Sequence, residues 1–255
     1  MVARSALAAF LFLLLRVSLR AEWTIDPSPS EPSTAGGVER RHVTVANAGS
    51  GNEATIELAL FSTKSVAARV VDNPGGDELI SVAKRTRALA GVNGGYFDPQ
   101  NAPVGLVISD GKMIAPFRKA RLLSGVLVIN RNRVELVRSS EYSARKTAAA
   151  ALQCGPFLVD GGVAVPGLNS TRPARRTFFI TSGSDRAGMG FCSSVTLAEL
   201  ADILSTPRLA GDLKVQRALN FDGGSSSAFW FAGKNEPLSI GELKTVRNFV
   251  IVAPK

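Results

Sequence analysis

Short apolar runs that end in glycine-rich turns recur along this chain, and two of those turns carry polar motifs. Residues 93–98 read Asn-Gly-Gly-Tyr-Phe-Asp, and residues 220–227 read Asn-Phe-Asp-Gly-Gly-Ser-Ser-Ser. Glycine permits positive φ and lets another group approach the main chain closely. One such polar corner is most often a turn. Two corners in one chain, with Arg172, Arg175 and Arg176 between them, predict a single assembled site.

The sequence around these motifs is typical of short strands joined by tight turns. Residues 55–60 alternate polar and apolar side chains, which is the pattern of a half-buried strand. Apolar segments at 126–129 and 134–137 flank a polar turn. The Asp-Gly pair at 110–111 favours a primed hairpin turn.

Two segments have helical patterns. One extends from Asp77, the expected N-cap, to Ala90, and the other begins with a capping box at 196–199 and ends near Leu204. With 255 residues, 45% of them hydrophobic, the chain can bury one substantial core. We therefore predict a single-domain α+β protein, mainly β with mixed sheets and two principal helices.

The N-terminus resembles an export signal. Arg4 provides a positive charge, residues 6–15 are apolar, and Leu19 and Ala21 stand at the −3 and −1 positions of a cleavage site. An uncleaved anchor is the alternative, although the apolar run is short for a membrane span. We predict a signal peptide at 1–21 and an exported protein, either periplasmic or secreted.

Residues 22–41 are rich in proline, serine, glutamate and glycine. This composition is typical of a flexible linker that does not pack against a domain. The predicted organisation is therefore a linker at 22–41 followed by the functional domain at 42–255.

The chain is basic, with 30 Lys and Arg against 21 Asp and Glu and a formal charge of +9. Removal of residues 1–21 takes away three arginines and no acids, which leaves +6. A modest positive charge suits an anionic partner such as a phosphorylated glycan or an acidic cell-wall polymer. Nucleic acid is not predicted, because no aromatic-interleaved basic stripe or nucleic-acid motif is present. No later stretch is apolar enough to span a bilayer, so no stable membrane span is expected after processing.

Cysteine and histidine are scarce. Cys154 and Cys192 either form one disulfide, as in many exported proteins, or remain two buried thiols, and their spacing does not decide between these states. The single histidine, His42, leaves little room for histidine-dependent chemistry. No cofactor or metal is predicted; Asp222 and nearby carbonyls could hold a divalent cation, but no ligand spacing specifies one.

Asp222 is the leading candidate for chemistry. It follows an apolar strand and precedes Gly223 and Gly224, with the hydroxyls of Ser225 and Ser226 next. A turn residue that bonds its own backbone is the ordinary explanation of such a sequence. Successive N–H groups and hydroxyls after glycines also form anion-binding nests. We predict that Asp222 is catalytic and that the two glycines and two serines bind substrate.

The first motif also has two interpretations. Asn93, Gly94 and Gly95 could form the left-handed turn that ends a helix. Alternatively, Tyr96 and Phe97 form an aromatic wall for a sugar ring, although core packing is the ordinary role, more so for Phe97. We predict that Asn93 is catalytic and that Gly94, Gly95 and Tyr96 bind substrate.

Arg176 is the predicted phosphate ligand. It leads into an apolar strand at 178–180, where an arginine tends to be partly buried and paired. A solvated face is the usual explanation of an arginine cluster, but a guanidinium also binds phosphate bidentately. We therefore assign Arg176 a catalytic role.

Glycoside cleavage commonly uses two carboxyl groups, and Asp160 and Asp98 are further candidates beside Asp222. We predict that Asp160 binds substrate. If the leaving group is a phosphate, it departs as a stable anion and needs little protonation. One carboxylate and an arginine then suffice.

Five ordered segments resemble the phosphodiester glycosidase family, over residues 54–253. They are Asn-Gly-Gly-Tyr-Phe at 93–97, Gly-Pro-Phe-Leu-Val-Asp-Gly at 155–161, Arg-Thr at 176–177, Thr-Leu-Ala-Glu-Leu-Ala at 196–201, and the second glycine motif from 218 to 227. Ser225 stands where that family usually has a third glycine, and its side chain could narrow the pocket. The resemblance implies the family's fold and cleavage of glycosidic bonds in sugar-1-phosphodiesters. It also implies an exported enzyme that acts on envelope polysaccharides.

Three hypotheses follow. The protein is an exported hydrolase for a sugar-1-phosphodiester, a catalytically silent glycan-binding module of the cell envelope, or a structural envelope protein whose glycine motifs are only turns. The ordered occurrence of Asn93, Arg176 and Asp222 favours the first over the third. Nothing in the sequence separates the first from the second, and we predict the first.

Overall fold

The computed structural model describes residues 23–131, 133–143, 148–183 and 185–255, so the predicted signal peptide at 1–21 lies outside the described residues. Strands dominate and two helices accompany them, which confirms the predicted mainly-β α+β class. In the described part of the chain, neither helix is long and apolar enough to cross a membrane.

The described elements follow one another in this order. They are β1 Trp23–Pro27, β2 Glu31–Pro32, β3 Val38–Asn47, β4 Glu53–Ser62, β5 Val66–Asp72, α1 Leu79–Thr86, β6 Ala90–Asn93, β7 Val107–Ser109, β8 Lys112–Ala115, β9 Gly125–Asn130, β10 Arg133–Arg138, β11 Ala150–Cys154, β12 Phe157–Asp160, β13 Val163–Ala164, β14 Ala174–Thr181, β15 Arg186–Val195, α2 Leu197–Leu204, β16 Arg217–Asn220, β17 Phe229–Phe231, β18 Leu238–Ile240 and β19 Asn248–Pro254.

These strands form three sheets within the described residues. The large sheet has the order β1-β3-β4-β15-β14-β16-β12-β13, with β2 also paired to β3. The second sheet has the order β10-β9-β11-β7-β8, and the third has the order β18-β17-β6-β19-β5. The strand pairs described are antiparallel rather than mixed. Short connections of the hairpin type favour this arrangement.

Both hairpins predicted from turn sequences are present in the structure. β7 and β8 form the hairpin that the Asp-Gly pair predicts, and both turn residues have positive φ, 47° for Asp110 and 76° for Gly111. A type I′ turn requires this conformation at both central positions. β9 and β10 form the second predicted hairpin.

The first helix differs from its prediction. α1 ends at Thr86, where Arg87 adopts a left-handed conformation with φ 50°, rather than continuing to Ala90. Asp77 does not cap this helix and instead forms an ion pair with Arg85. Ala90 opens β6, whose four residues are all buried between β17 and β19, so sheet pairing overrides the helical pattern there.

The second helix follows its prediction. The hydroxyl of Thr196 accepts a hydrogen bond from the N–H of Glu199 at 3.2 Å, and the Glu199 carboxylate accepts one from the N–H of Thr196 at 2.8 Å. This reciprocal capping box satisfies two backbone donors at the helix start.

The linker prediction is wrong for the described residues 23–41. β1 pairs with β3 from Trp23 opposite Asn47 to Pro27 opposite Val43. Trp23 is only 4% exposed. β2 adds a further pairing to β3. The proline-rich composition concealed these strands because proline is tolerated at strand ends and sheet edges, and the folded unit therefore begins before residue 42.

The large sheet is covered on both faces. Phe179, Leu127 and Val250 come from the three different sheets and lie in one buried cluster. On the opposite face, Leu200 of α2 packs in a cluster with Leu158 of β12. Because the large and third sheets face each other, the ends of β16 and β6 can meet at one edge of the molecule.

Candidate functional site

The two glycine motifs meet where β6 and β16 end. Nδ2 of Asn93 donates to the carbonyl oxygen of Asp222 at 2.7 Å. In return, the N–H of Asp222 donates to the carbonyl oxygen of Gly94 at 2.9 Å. The convergence that the sequence predicts for Asn93 and Asp222 is therefore confirmed. We call this junction the Asp222 corner.

Asn93 supports the corner from behind. Its side chain is 0% exposed. Its Oδ1 accepts hydrogen bonds from the Thr177 hydroxyl at 2.7 Å and from the N–H of Ala228 at 3.0 Å. With its amide engaged in this way, Asn93 positions the backbone of Asp222 and does not reach a ligand directly.

Gly94 and Gly95 are needed for close packing. A Cβ on Gly94 would lie 2.0 Å from Oδ1 of Asn248. That same oxygen accepts the N–H of Gly95 at 2.7 Å. Both glycines are buried, so they shape the corner rather than line it. Sequence reasoning missed Asn248, although an asparagine opening an apolar strand was a usable signal.

The second motif continues as a 3₁₀ turn, Gly224–Ser226, instead of an open anion nest. The N–H groups of Ser226 and Ser227 donate to backbone carbonyls of the preceding glycines at 3.3 and 3.2 Å. Gly224 has a φ of +64° and open space beside it, and Ser225 is exposed. Gly224 and Ser225 therefore form the accessible rim, while Ser226 is buried beneath it.

Asp222 itself is half-buried at this junction. Burial raises the pKa of its carboxyl, and the Ser226 hydroxyl, the Lys244 ammonium and the Gly223 N–H oppose that rise. The buried Ser226 hydroxyl lies near the carboxylate but does not reach standard hydrogen-bond geometry. A carboxyl whose pKa is raised by burial and that has a cation nearby is typical of acid–base groups.

Tyr96 forms a wall of the corner. Its hydroxyl donates to the carbonyl oxygen of Gly155 at 2.5 Å, and Nδ2 of Asn220 donates to the Tyr96 hydroxyl at 3.3 Å. Burial, with the nearby Cys154 and Asp222, raises the pKa of Tyr96 far above its usual range. The phenol therefore stays protonated and serves as a fixed structural donor.

Arg176 reaches the corner with part of its guanidinium. Nε donates to the carbonyl oxygen of Val195 at 3.0 Å, and Nη2 donates to that of Arg172 at 2.6 Å. A Cβ on Gly223 would lie 3.6 Å from Nη1 of Arg176. Burial lowers the pKa of Arg176. Two nitrogens of the guanidinium that was predicted to bind phosphate therefore donate to backbone carbonyl oxygens. The third, Nη1, lies beside the second motif.

A loop at 241–247 brings a cation that sequence reasoning missed. The N–H of Leu243 donates to the carbonyl oxygen of Ser225 at 2.7 Å. Nζ of Lys244 lies 4.9 Å from the centre of the Phe97 ring, and the ammonium is close enough to lower the pKa of Asp222. Lys244 is exposed. No pattern in this polar loop marks it as a site residue.

The comparison that decides the family covers this corner. The family model for phosphodiester glycosidase (NAGPA) matches residues 86–253, which include both glycine motifs, Arg176 and Lys244. The chain belongs to the phosphodiester glycosidase family. No curated protein matches the chain.

Solved structures share the fold of this family member. A hypothetical protein from Synechocystis aligns with a TM-score of 0.63 and 15% identity, covering 89% of this chain and 64% of its own. The zebrafish N-acetylglucosamine-1-phosphodiester alpha-N-acetylglucosaminidase catalytic domain, auto-inhibited by pro-peptide, aligns at 0.60 and 16%, covering 92% and 83%. A Burkholderia pseudomallei protein assigned as exported aligns at 0.58 and 13%, covering 80% and 75%. The chain thus spans less than two thirds of the Synechocystis protein, and at these identities the likeness establishes the fold.

Asp160 does not join the Asp222 corner. It pairs in register with Arg217, at the opposite end of β16 from Asp222. Five residues of extended chain separate those ends by about 16 Å. The Asp160 carboxylate forms ion pairs with Nε of Arg138 at 2.8 Å and Nε of Arg217 at 3.2 Å. Sheet register therefore places Asp160 away from Asp222, and substrate binding by Asp160 stays a prediction.

Asp98 has a turn role. Its Oδ1 accepts hydrogen bonds from the N–H groups of Gln100 at 3.0 Å and Ala102 at 2.8 Å. This is the local bonding that aspartate commonly makes in turns. Asp222 is thus the carboxylate that this family member brings to the junction of its two motifs.

The two cysteines are separate buried thiols. Cys154 and Cys192 are both free. Burial raises the pKa of both thiols, that of Cys192 to about 12. Of the two states that the sequence left open, the structure has the reduced one.

The described ranges contain no cluster of metal-binding side chains, and the single histidine lies away from the Asp222 corner. No cluster of three or more His, Cys, Asp or Glu side chains there could hold a metal ion. His42 lies on β3, four strands from β16, where Nδ1 is 2.6 Å from a carboxylate oxygen of Glu57. The absence of a cofactor stays a prediction.

Proposed function

We propose that this protein is an exported hydrolase that cleaves the glycosidic bond of a sugar-1-phosphodiester on an envelope or extracellular polysaccharide. Membership of the phosphodiester glycosidase family supports the reaction class. The observation that carries the proposal is the half-buried Asp222 carboxyl, whose pKa burial raises, at the junction of the two motifs.

Asp222 would act on the sugar side of the bond. Water attacks the anomeric carbon, the bond from that carbon to the phosphate oxygen breaks, and the phosphate monoester leaves with the electron pair. The Asp222 carboxylate accepts the proton of the attacking water and stabilises positive charge on the sugar ring. A pKa above the ordinary aspartate value brings such a base nearer to neutral pH, where proton transfer is most effective.

Two cations would hold the phosphate. Lys244 is exposed near Asp222 and makes no ion pair within the described ranges. Nη1 of Arg176 lies beside Gly223. An ammonium supplies a point charge, and the guanidinium supplies a directed donor. Together they would stabilise the charge of the departing phosphate.

A catalytically silent glycan-binding module is the second candidate. One observation favours it: the side chain of Asn93 and two nitrogens of Arg176 are engaged with protein atoms, so only part of the predicted catalytic set is available to substrate. In that case the Asp222 corner would bind a sugar phosphodiester without turning it over.

The two candidates are separated by measuring release and binding together. The purified protein is incubated with α-N-acetylglucosamine-1-phosphodiesters and with teichoic-acid fragments, and free sugar is quantified. Release that is lost in Asp222→Asn supports the hydrolase. Calorimetric binding without release supports the module. Neither release nor binding would reject both candidates.

Export has its own test. The Burkholderia pseudomallei protein of the same fold is assigned as exported, and residues 1–21 have the pattern of a signal peptide. Expression with cell fractionation, followed by N-terminal sequencing of the mature protein, should find a chain outside the cytoplasm that begins at Glu22. A full-length chain confined to the cytoplasm would reject export.

A further inference from the structure

We propose that an exposed loop at residues 118–122, here called the basic loop, is a polyanion-binding subsite beside the Asp222 corner. The preferred ligand would be a glycan polymer that carries repeated phosphodiester groups. The inference rests on the proposed function for the reaction at the corner, whereas binding at the basic loop is tested independently of it.

The basic loop concentrates unpaired positive charge. Arg118, Lys119 and Arg121 lie within four positions of one another, and all are exposed. None of them makes an ion pair within the part of the chain that the structure describes. Like charges this close repel one another in the free protein, and a bound polyanion would remove that repulsion.

One buried side chain holds the basic loop in place. Gln153 on β11 is 1% exposed. Its Oε1 accepts the N–H of Arg118 at 3.0 Å, and its Nε2 donates to the carbonyl oxygens of Arg118 at 2.7 Å and Leu123 at 3.3 Å. Both ends of the loop are therefore tied to the sheet. A fixed loop loses less conformational freedom when it binds a ligand.

The basic loop is joined to the Asp222 corner through Gly155. The carbonyl oxygen of Leu122 lies so close that a Cβ on Gly155 would be 2.2 Å from it. The carbonyl oxygen of Gly155 in turn accepts hydrogen bonds from Tyr96 at 2.5 Å and from Nδ2 of Asn220 at 2.9 Å. Asn220 is two residues before Asp222. The charged loop therefore borders the site instead of lying on a remote surface.

The two sets of cations suit a polymer better than a small ligand. Lys244 acts at the corner itself, where it lowers the pKa of Asp222. The three cations of the basic loop lie beyond Tyr96 and Gly155. A single phosphodiester has one negative charge and occupies one of these positions. A polymer with repeated phosphodiesters occupies both at once.

Binding is tested first, with inorganic polyphosphate as the probe. Calorimetry at several salt concentrations compares the wild type with the triple variant Arg118→Ala, Lys119→Ala, Arg121→Ala. The matched control is Arg131→Ala, Lys214→Ala, Lys234→Ala, which removes three charges from exposed positions outside the basic loop. Circular dichroism verifies that each variant is folded.

The loop variant should bind polyphosphate at least about tenfold more weakly at low salt. The slope of log affinity against log salt should fall by about 2, since each phosphate contact on a flexible strand contributes about 0.7. The control should stay within about twofold of the wild type. Equal weakening in both variants, or none in the loop variant, would overturn the inference.

Kinetics then separate this inference from the proposed function. For a phosphodiester-linked glycan polymer, the loop variant should show a raised KM with unchanged kcat, and its KM for a monomeric α-N-acetylglucosamine-1-phosphodiester should match the wild type. If the loop variant binds polyphosphate more weakly but neither the wild type nor the variant releases sugar, the subsite is supported and the hydrolase is rejected. If the wild type turns over both substrates and the loop variant has the same KM as the wild type for the polymer, the hydrolase is supported and the subsite is rejected.

Discussion

The backbone N–H of Asp222 donates to the carbonyl oxygen of Gly94 at 2.9 Å, and this bond joins the large sheet to the third sheet at the candidate site. The side chain of Asn93 adds a second bond to the backbone of Asp222 from the same strand end. The backbone of Asp222 is thus held by a motif that is distant from it in sequence. Changes at this junction should affect stability and turnover in ways that can be told apart.

Asp222→Asn should lower kcat on a sugar phosphodiester by at least about a hundredfold, as expected for loss of an acid–base group. KM should change little, because the amide preserves the shape of the corner. Steady-state kinetics measure both. Asp110→Asn is the matched control: Asp110 is in an exposed turn with φ 47°, a conformation that asparagine tolerates. A folded Asp222→Asn protein with near wild-type turnover would remove Asp222 from the chemistry and favour the binding module.

The same substitution should raise thermal stability at neutral pH. Because burial raises the pKa of Asp222 in the folded protein, the folded state holds this proton more tightly than the unfolded chain, and ionisation costs folding free energy. Asp222→Asn should therefore have the higher Tm at pH 7. The difference should disappear as the pH falls toward about 3.9, the ordinary aspartate value. Thermal melts from pH 4 to 8 test this, and a lower Tm for the variant at pH 7 would contradict it.

Gly94→Ala should destabilise the fold by about 3 kcal/mol, the upper range for overpacking. The added Cβ would lie 2.0 Å from Oδ1 of Asn248, so the junction must open. Gly75→Ala is the control, because a Cβ there meets nothing within 4 Å. Urea denaturation should find the control within about 0.5 kcal/mol of the wild type. Equal stability of the two variants would show that the strand ends adjust freely.

Arg176→Lys should reduce both stability and substrate binding. Lysine keeps the charge but cannot replace the bonds from Nε and Nη2 to the carbonyl oxygens of Val195 and Arg172, so we expect a loss of about 2 kcal/mol. KM for the sugar phosphodiester should rise through the loss of Nη1. Arg172→Lys is the control, because it keeps the backbone carbonyl oxygen that accepts from Nη2 of Arg176. A lowered stability with an unchanged KM would make Arg176 purely structural.

Both cysteines should be found as free thiols. Alkylation of the unfolded protein without reductant should add one group to Cys154 and one to Cys192, as seen by mass spectrometry. In the folded protein labelling should be slow, because both thiols are buried and the thiolate is the reactive form; burial raises the pKa of Cys192 to about 12. An unlabelled chain lighter by two hydrogens would show a disulfide instead.

Local sequence signals predicted the parts of the fold that depend on near neighbours. Asp110 and Gly111 form the primed turn, and Thr196 with Glu199 forms the capping box, because each motif is closed by atoms within four residues. Strand β1 was missed, since Trp23 gains its burial only by pairing with Asn47 across the sheet. Composition describes a segment alone and does not reveal a distant partner.

The two glycine motifs predicted one shared polar corner, because glycine, asparagine and aspartate at strand ends favour turns that present polar groups. What each side chain does at that corner depends on the tertiary structure. Strand register places Asp160 at the far end of β16. The side-chain amide of Asn93 is engaged in hydrogen bonds within the protein. Chain folding brings Lys244 to Asp222. Hydrogen-bond partners and burial depend on which strands become neighbours, and the residue types along one chain do not specify that.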